Sequence, residues 1–357
     1  MDQQRRAFLD ELLETPSPAG FEARGQRVWV DYVSEFADDV WTDAYGNAVA
    51  VHEGSGSDET EVAIAGHADE IGFIVRRIDD DGFLHLERIG GSDRTVSKGQ
   101  HVTVHTDDGP VPGVIGQSAI HIRDDDDVDD VWRQRVDLGV EDSEQAHELV
   151  EVGDPITFST GVTDLQGTHI AGRGIDNRVG TWVAAETLRR AVETDAEATV
   201  YAVSTVQEEL GLRGARMIGF DLAPDAFIAV DVTHATDYTA TKGDSATKRS
   251  ADVALGEGPV VARGSSNHPA LVDAVRSAAT ETEIDIQLQA AGRRTGTDAD
   301  AFYTARGGIP SLNLGLPNRY MHTPVEVVDT GDLVAAADLL GAFAGQAHEH
   351  GAFSVGI

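Results

Sequence analysis

Two adjacent carboxylates, Glu208 and Glu209, close the apolar run Ala198–Val206 and stand just before a glycine turn at Gly211. Neighbouring side chains at an extended strand end point to opposite sides, so one carboxylate can hold a cation while the other faces a substrate as a base. Four further segments carry partner chemistry: Gly66-His67-Ala68-Asp69, Gly174-Ile175-Asp176-Asn177, Val230-Asp231 and Met321-His322-Thr323-Pro324. His67, the Glu208–Glu209 pair and Asp231 all follow short apolar runs typical of buried strands. Asp176 and His322 lie in loops marked by glycine or proline. Singly, each residue is bland. A histidine after a strand is more often a hydrogen-bonded structural residue, and a strand-end aspartate is more often a cap. Their common placement at one sheet edge is what makes them a site.

Histidines with carboxylates, in a chain without cysteine, suit Zn²⁺ or Co²⁺, with Mn²⁺ and Mg²⁺ as alternatives, and rule out a thiolate zinc site. Charge favours two ions: Asp176, Glu209 and Asp231 with one shared hydroxide balance two divalent cations, whereas a single cation would be over-compensated. Two ions about 3.5–4 Å apart can share that hydroxide and polarise a carbonyl together. Asp69, two residues after His67, is placed to fix the imidazole tautomer. Glu208, off the metals, would take a proton from the bridging water and return it to a leaving amine. Glu208 and Asp231 are also the anions nearest to where a substrate's free α-ammonium would sit.

These residues need a frame. Helical spacing marks residues 3–13 and 22–36, and strands are expected at 40–42, 48–52 and 62–66. From 71 to 165 the texture is β-rich, with hairpin signals at Asp79–Gly82 and Asp107–Pro110. The α/β pattern returns with helices at 178–191, 212–219, 267–280, 298–305 and 329–347. Strands are expected between them at 198–206, 226–232, 284–289 and 310–314. The expectation is an α/β fold: a mixed-sheet α/β/α domain of residues 1–70 and 166–357, interrupted by a small β-rich domain at 71–165. The acidic run Asp124–Asp130 lacks the glycine and final glutamate of a calcium loop and reads as solvated loop, as does 53–59.

Composition sets the boundaries. The formal net charge is −35, lysine occurs only at 98, 242 and 248, and the acids are spread along the whole chain. Such a surface repels itself in dilute buffer and is tolerated where salt screens it, so a halophilic protein is expected. Nucleic-acid partners are disfavoured, since phosphate contacts need a basic surface. No apolar run reaches the roughly 18 residues of a membrane span, and the N-terminus lacks a signal peptide's apolar core. With no cysteine, a cytoplasmic setting is expected. Aromatic content of 6% argues against a sugar cleft built on stacked rings.

The set His67-x-Asp69-Glu70-Ile71-Gly72-Phe73, Gly174-Ile175-Asp176-Asn177-Arg178-Val179-Gly180, Gln207-Glu208-Glu209-Leu210-Gly211-Leu212-Arg213-Gly214, Asp231-Val232-Thr233 and Met321-His322-Thr323-Pro324 resembles the TET (tetrahedral) aminopeptidases. These are dinuclear metallo-aminopeptidases. The likeness covers essentially the whole chain, including the segment Gly296-Thr297-Asp298-Ala299. It implies one metal on His67, Asp176 and Asp231 and a second on Asp176, Glu209 and His322, with Asp176 bridging and Glu208 as general base. It also implies a PDZ-like insert that helps dimers assemble into a hollow homododecamer whose interior admits peptides. Ile175 and Asn177 depart mildly from the family pattern. The Arg293-Arg294 pair reads either as a surface salt-bridge site or as a basic wall of the substrate pocket or an inter-subunit contact. Residue preference is expected to be set by 234–247 and 293–320. Two other readings stand beside this one. A co-catalytic deacylase or carboxypeptidase would lack the His-Ala-Asp-Glu-Ile-Gly-Phe entry into a β-insert, and a non-catalytic peptide-binding shell would carry a disrupted ligand set.

Overall fold

The computed structural model describes residues 1–56, 60–122, 127–238, 252–350 and 353–355. The 57–59 part of one expected loop, the 124–126 part of the Asp124–Asp130 run, and the 239–247 part of the expected pocket wall lie outside the described residues. Helices α1 (Gln3–Glu14) and α2 (Ala23–Val33) precede strands β1 (Asp39–Thr42), β2 (Ala48–His52) and β3 (Glu61–His67). The chain then makes β4 (Gly72–Ile78), β5 (Leu84–Ile89), β6 (His101–Thr106), β7 (Gly109–Ile115), β8 (Arg135–Asp137), the short α3 (Ser143–His147) and β9 (Pro155–Phe158). A hairpin of β10 (Thr163–Asp164) and β11 (His169–Gly172) leads into α4 (Ile175–Thr194) and β12 (Thr199–Thr205). Then come α5 (Arg213–Asp221), β13 (Ala226–His234), β14 (Val260–Arg263), α6 (Pro269–Glu281) and β15 (Gln287–Ala290). The last elements are α7 (Ala299–Phe302), β16 (Ser311–Asn318), β17 (Glu326–Asp329) and α8 (Thr330–Gln346).

The main sheet has eight strands in the order β1-β2-β12-β3-β13-β16-β14-β15. Its centre, β12, β3, β13 and β16, is parallel, while β2 and β14 join antiparallel. The fold is therefore the expected α/β class with a mixed sheet. Both faces are covered, which is why the central strands read as unbroken apolar runs rather than alternating ones. Val62 and Ile64 join α1, α4 and α8 in one core, and Ala63 and Ala65 join α5 and α7 in the other. On that second face Phe302 stacks on Phe227 with ring centroids 3.6 Å apart. Burying such a ring contributes about 1.5–3 kcal/mol, and it seats α7 with Asp298 just ahead of it. Strands β4 to β9 close into a six-stranded barrel with its own core around Phe73, Leu84, Val104 and Ile156. Among the described residues no helix is long and apolar enough to cross a membrane.

Parallel strands end on the same side, so the C-terminal ends of β3, β12 and β13 share one edge. Pairing between β3 and β12 runs to His67 and Thr205, but pairing between β3 and β13 stops at Ala65 and Ala229. Beyond that point the sheet parts, and Asp231 stands at the opening. Here the structure corrects two expectations. Strand β13 does not stop near Asp231 but continues to His234, because β16 pairs with it that far. Strand β12 ends at Thr205, so Glu208 and Glu209 sit on a turn and not on a strand end.

Gly66 fixes how closely α4 lies on β3. A Cβ there would sit 2.2 Å from the Gly180 carbonyl carbon and 2.4 Å from the Thr181 nitrogen. Both are backbone atoms, so nothing can rotate away. Gly66→Ala is expected to destabilise the fold by about 1–3 kcal/mol, read as a lower midpoint in chemical denaturation, and an unchanged midpoint would contradict this packing.

Candidate metal centre

His67 ends β3 and is buried. Its Nδ1 lies 3.1 Å from the backbone carbonyl of Asp69, an atom that can only accept, so Nδ1 donates there and Nε2 is the ring nitrogen turned to the carboxylates. That Nε2 faces Asp176 Oδ1 at 3.2 Å, Asp231 Oδ1 at 3.7 Å and Glu208 Oε2 at 3.8 Å. The Asp69 side chain also approaches Nδ1, at 3.3 Å, as the sequence suggested. Its larger role was not legible. Its two carboxylate oxygens accept the backbone N–H groups of Glu208 and Glu209, both at 3.0 Å. The two preceding N–H groups are held in the same manner, Val206 by Asn47 Oδ1 at 2.9 Å and Gln207 by Glu22 Oε1 at 3.0 Å. Every N–H from 206 to 209 thus goes to a side chain. The turn is completed by Gln207 at φ 54°. This held turn, not strand alternation, sends Glu208 toward His67 and Glu209 toward His322.

Asp176 lies in the loop entering α4, where Gly174 takes φ 59° and Asp176 and Asn177, joined by a cis peptide bond, are not helical. The Asn177 amide donates to the Val230 carbonyl at 2.8 Å and accepts from Gly180 N–H at 3.1 Å. Below the loop the buried Glu70 carboxylate accepts from Arg173, Arg178 and the Ser17 N–H. Burial pushes Glu70 up, but the two guanidinium groups pull it down to about 2. Asp176 presents Oδ2 to His322 Nε2 at 3.2 Å, and Glu209 Oε1 lies 3.3 Å from the same nitrogen. His322 Nδ1 points at the Gly91 carbonyl, 3.3 Å away, in the loop after β5. Gly91 has to be glycine, because a Cβ there would lie 2.5 Å from that ring nitrogen.

The structure thus brings together all seven residues singled out from sequence. It adds residues the sequence did not flag: Glu22, Asn47 and Glu326. Glu326 accepts the N–H groups of both Asp176 and His322. Asp298, from the segment noted earlier, accepts from Thr205 Oγ1 at 2.5 Å and is buried beside the cluster.

So many acids in one place disturb one another. Burial raises Glu208 to about 10, against the pull of His67, and the charges of Asp231, Asp298 and Glu209 add to it. Burial likewise holds Asp231 well above the carboxylate range. Hydrogen bonds that His322 donates to Asp176 and Glu209 raise it to about 11. Despite its burial, Asp176 is lowered, because both imidazoles bond to it. A cluster whose acids cling to protons is one that divalent cations would suit. Two groups have their ligand atoms within 4.8 Å of one another: His67, Asp176 and Asp231, and Asp176, Glu209 and His322. Nitrogen and carboxylate donors without sulfur fit Zn²⁺-like ions.

Over the cluster opens a cleft of about 450 Å³. Thr233, Gln289, Arg294, Thr295 and Asn313 line it together with Val232 and Met321. Arg294 therefore lines both the cleft and a neighbouring pocket with Ser265, Ser266, Asp300 and Tyr303, whereas Arg293 lines the neighbouring pocket alone. Among the described residues neither arginine has an ion pair.

Residues 46–339 match the family model described as M42 glutamyl aminopeptidase. The chain belongs to that family. It is a metal-dependent aminopeptidase, a hydrolase of peptide bonds. It is 34% identical to a lysyl aminopeptidase of Pyrococcus furiosus over 91% of this chain and 92% of that protein. The structure of a TET aminopeptidase from a marine-sediment thaumarchaeon superposes with a TM-score of 0.88 at 30% identity, covering 95% of each chain. The Pyrococcus horikoshii TET1 peptidase, described as able to assemble into a tetrahedron or a large octahedral shell, gives 0.83 at 31% identity over 95% of this chain and 99% of that one.

The raised acids set the pH response of the metal-stripped aminopeptidase. Glu208, Asp231 and His322 all hold protons more tightly when folded than their ordinary values of 4.5, 3.8 and 6.5. Their contribution is complete below those values and is lost as pH rises through the folded ones. The lowered Asp176 acts the other way, but only in the acid range below 3.8. Stripped protein is therefore expected to melt lower as pH rises from about 6.5 toward 9. The gain in Tm on adding Zn²⁺ should widen over the same range, since cations displace those protons. Melts with chelator and with metal at three pH values check this, and a metal increment independent of pH would contradict it.

Proposed function

We propose that this aminopeptidase binds two divalent cations per chain, Zn²⁺ or Co²⁺ first and Mn²⁺ or Mg²⁺ as alternatives. One is held by His67, Asp176 and Asp231, the other by Asp176, Glu209 and His322. The observation that carries this reading is Asp176 itself, which turns one oxygen to each histidine at the same 3.2 Å. Such ions, when bound, polarise the scissile carbonyl and make water acidic enough to attack. The chain's own residues do the rest. Glu208 belongs to neither ligand group; it takes the proton from the attacking water on its carboxylate and returns it to the leaving amine. Asp69 keeps Glu208 and Glu209 at fixed separation and sets the His67 tautomer. The acidic cleft floor attracts a free α-ammonium, which makes the cut exo-acting.

Arg294 supports a finer reading. It is the one guanidinium among the described residues that line the cleft, so it favours an acidic first residue of the peptide over a basic one. By likeness to the TET structures, chains assemble through the barrel, residues 71–165, into a homododecamer that works in the cytoplasm of a salt-rich cell, with 1–70 and 166–357 as the catalytic part.

One short peptide offered with a free and with an acetylated N-terminus separates the alternatives. Release from the free peptide alone is expected, and Glu208→Gln should lower kcat by about 10²–10⁴-fold with metal retained. Equal release from both peptides would point instead to a deblocking enzyme or carboxypeptidase, and no release from either to a binding shell. Arg294→Glu is expected to move the ratio of kcat/KM for glutamyl over lysyl peptides down by about tenfold or more, and an unchanged ratio would remove Arg294 from the pocket.

A further inference from the structure

We infer that Glu326 is a positioning residue: its carboxylate fixes the distance between Asp176 and His322, and through it the affinity of the metal pair. Glu326 opens β17 and is 2% exposed. Its Oε2 accepts the Asp176 N–H at 3.0 Å and its Oε1 accepts the His322 N–H at 2.9 Å. One side chain therefore grips the backbone of two ligand loops that are far apart in sequence. The small sheet explains how. β17 pairs with β11, and the register sets Glu326 opposite Gly172. Asp176 comes four residues after Gly172, and His322 comes four residues before Glu326. The two loops spring from the two strands of one ladder, and the Glu326 side chain reaches from the ladder into both.

The arrangement is a poor choice for stability alone. Glu326 puts another carboxylate beside Asp176 in a buried, already acidic region, and a buried charge there costs more than an apolar side chain of the same size. His322 also holds φ 64°, a left-handed backbone that a non-glycine residue adopts only when held. The N–H bond to Glu326 is part of what holds it. One side chain that accepts from two N–H groups fixes both in distance and direction, which is what a pair of ligands facing a shared aspartate needs. Nothing in the sequence pattern marks this glutamate apart from its place four residues after His322.

The inference rests on the two-cation reading, and one experiment separates the two. Zn²⁺ is titrated against a chromophoric chelator into the parent, Glu326→Gln and Glu326→Ala, each checked by circular dichroism. Glutamine keeps the shape but turns one acceptor into a donor, so one of the two N–H groups loses its partner. The expected result is two ions in the parent, and in Glu326→Gln one ion weakened by about 10–100-fold, the other within about threefold, with native dichroism. At limiting Zn²⁺ the variant's kcat should fall and return with excess metal, while KM for the peptide stays put. Parental affinity for both ions in the two variants would overturn the role of Glu326. So would loss of fold in Glu326→Gln, which would make the residue a structural one. A parent that binds fewer than two ions would instead strike the two-cation reading itself.

Discussion

The structure depends on buried carboxylates that accept backbone N–H groups rather than facing cations. Asp69 takes the N–H groups of Glu208 and Glu209, Glu22 takes that of Gln207, and Glu326 takes those of Asp176 and His322. The difficulty they meet is that five or more acids must stand together at one sheet edge without pushing the loops apart. Repulsion between carboxylates a few ångströms apart is strong in a buried setting. A loop pinned through its own N–H groups cannot relax by swinging its ligand away. The site is held ready for cations by the same kind of group that the cations will neutralise.

The elements around the cluster contribute in the same way. The parting of β3 and β13 beyond Ala65 and Ala229 opens space for Asp231, while Gly66 brings α4 close enough for Asp176 to reach His67. Glu70, one residue after Asp69, ties the β3 loop to the α4 loop through Arg173 and Arg178. The barrel is not a detached ornament, because the Gly91 carbonyl from its β5 loop orients His322. The barrel strands and the main sheet thus meet at His322.

What sequence could tell followed from what leaves a period or a spacing. The buried parallel strands announce themselves as apolar runs, and His67, Asp176, Glu208, Glu209, Asp231 and His322 stand just past or near their ends. The turn at 206–209 was not legible, because an extended run and a held turn after it have the same composition. Glu326, Glu22 and Asn47 act through bonds to backbone, and such bonds carry no sequence period. In a chain with 62 acidic residues one more glutamate gives no signal. Strand β14, one place in from the sheet edge, and β17, at the edge of the small sheet, are four residues each and too short for alternation to stand out.

The most direct test of the account is the number of Zn²⁺ ions per chain at saturation, measured by elemental mass spectrometry on the parent, His67→Ala and His322→Ala. Each histidine serves one ligand group only, and Asp176 serves both. The account expects two ions in the parent and one in either variant. A parent that saturates at one ion, or a His322→Ala protein that still holds two, would contradict it.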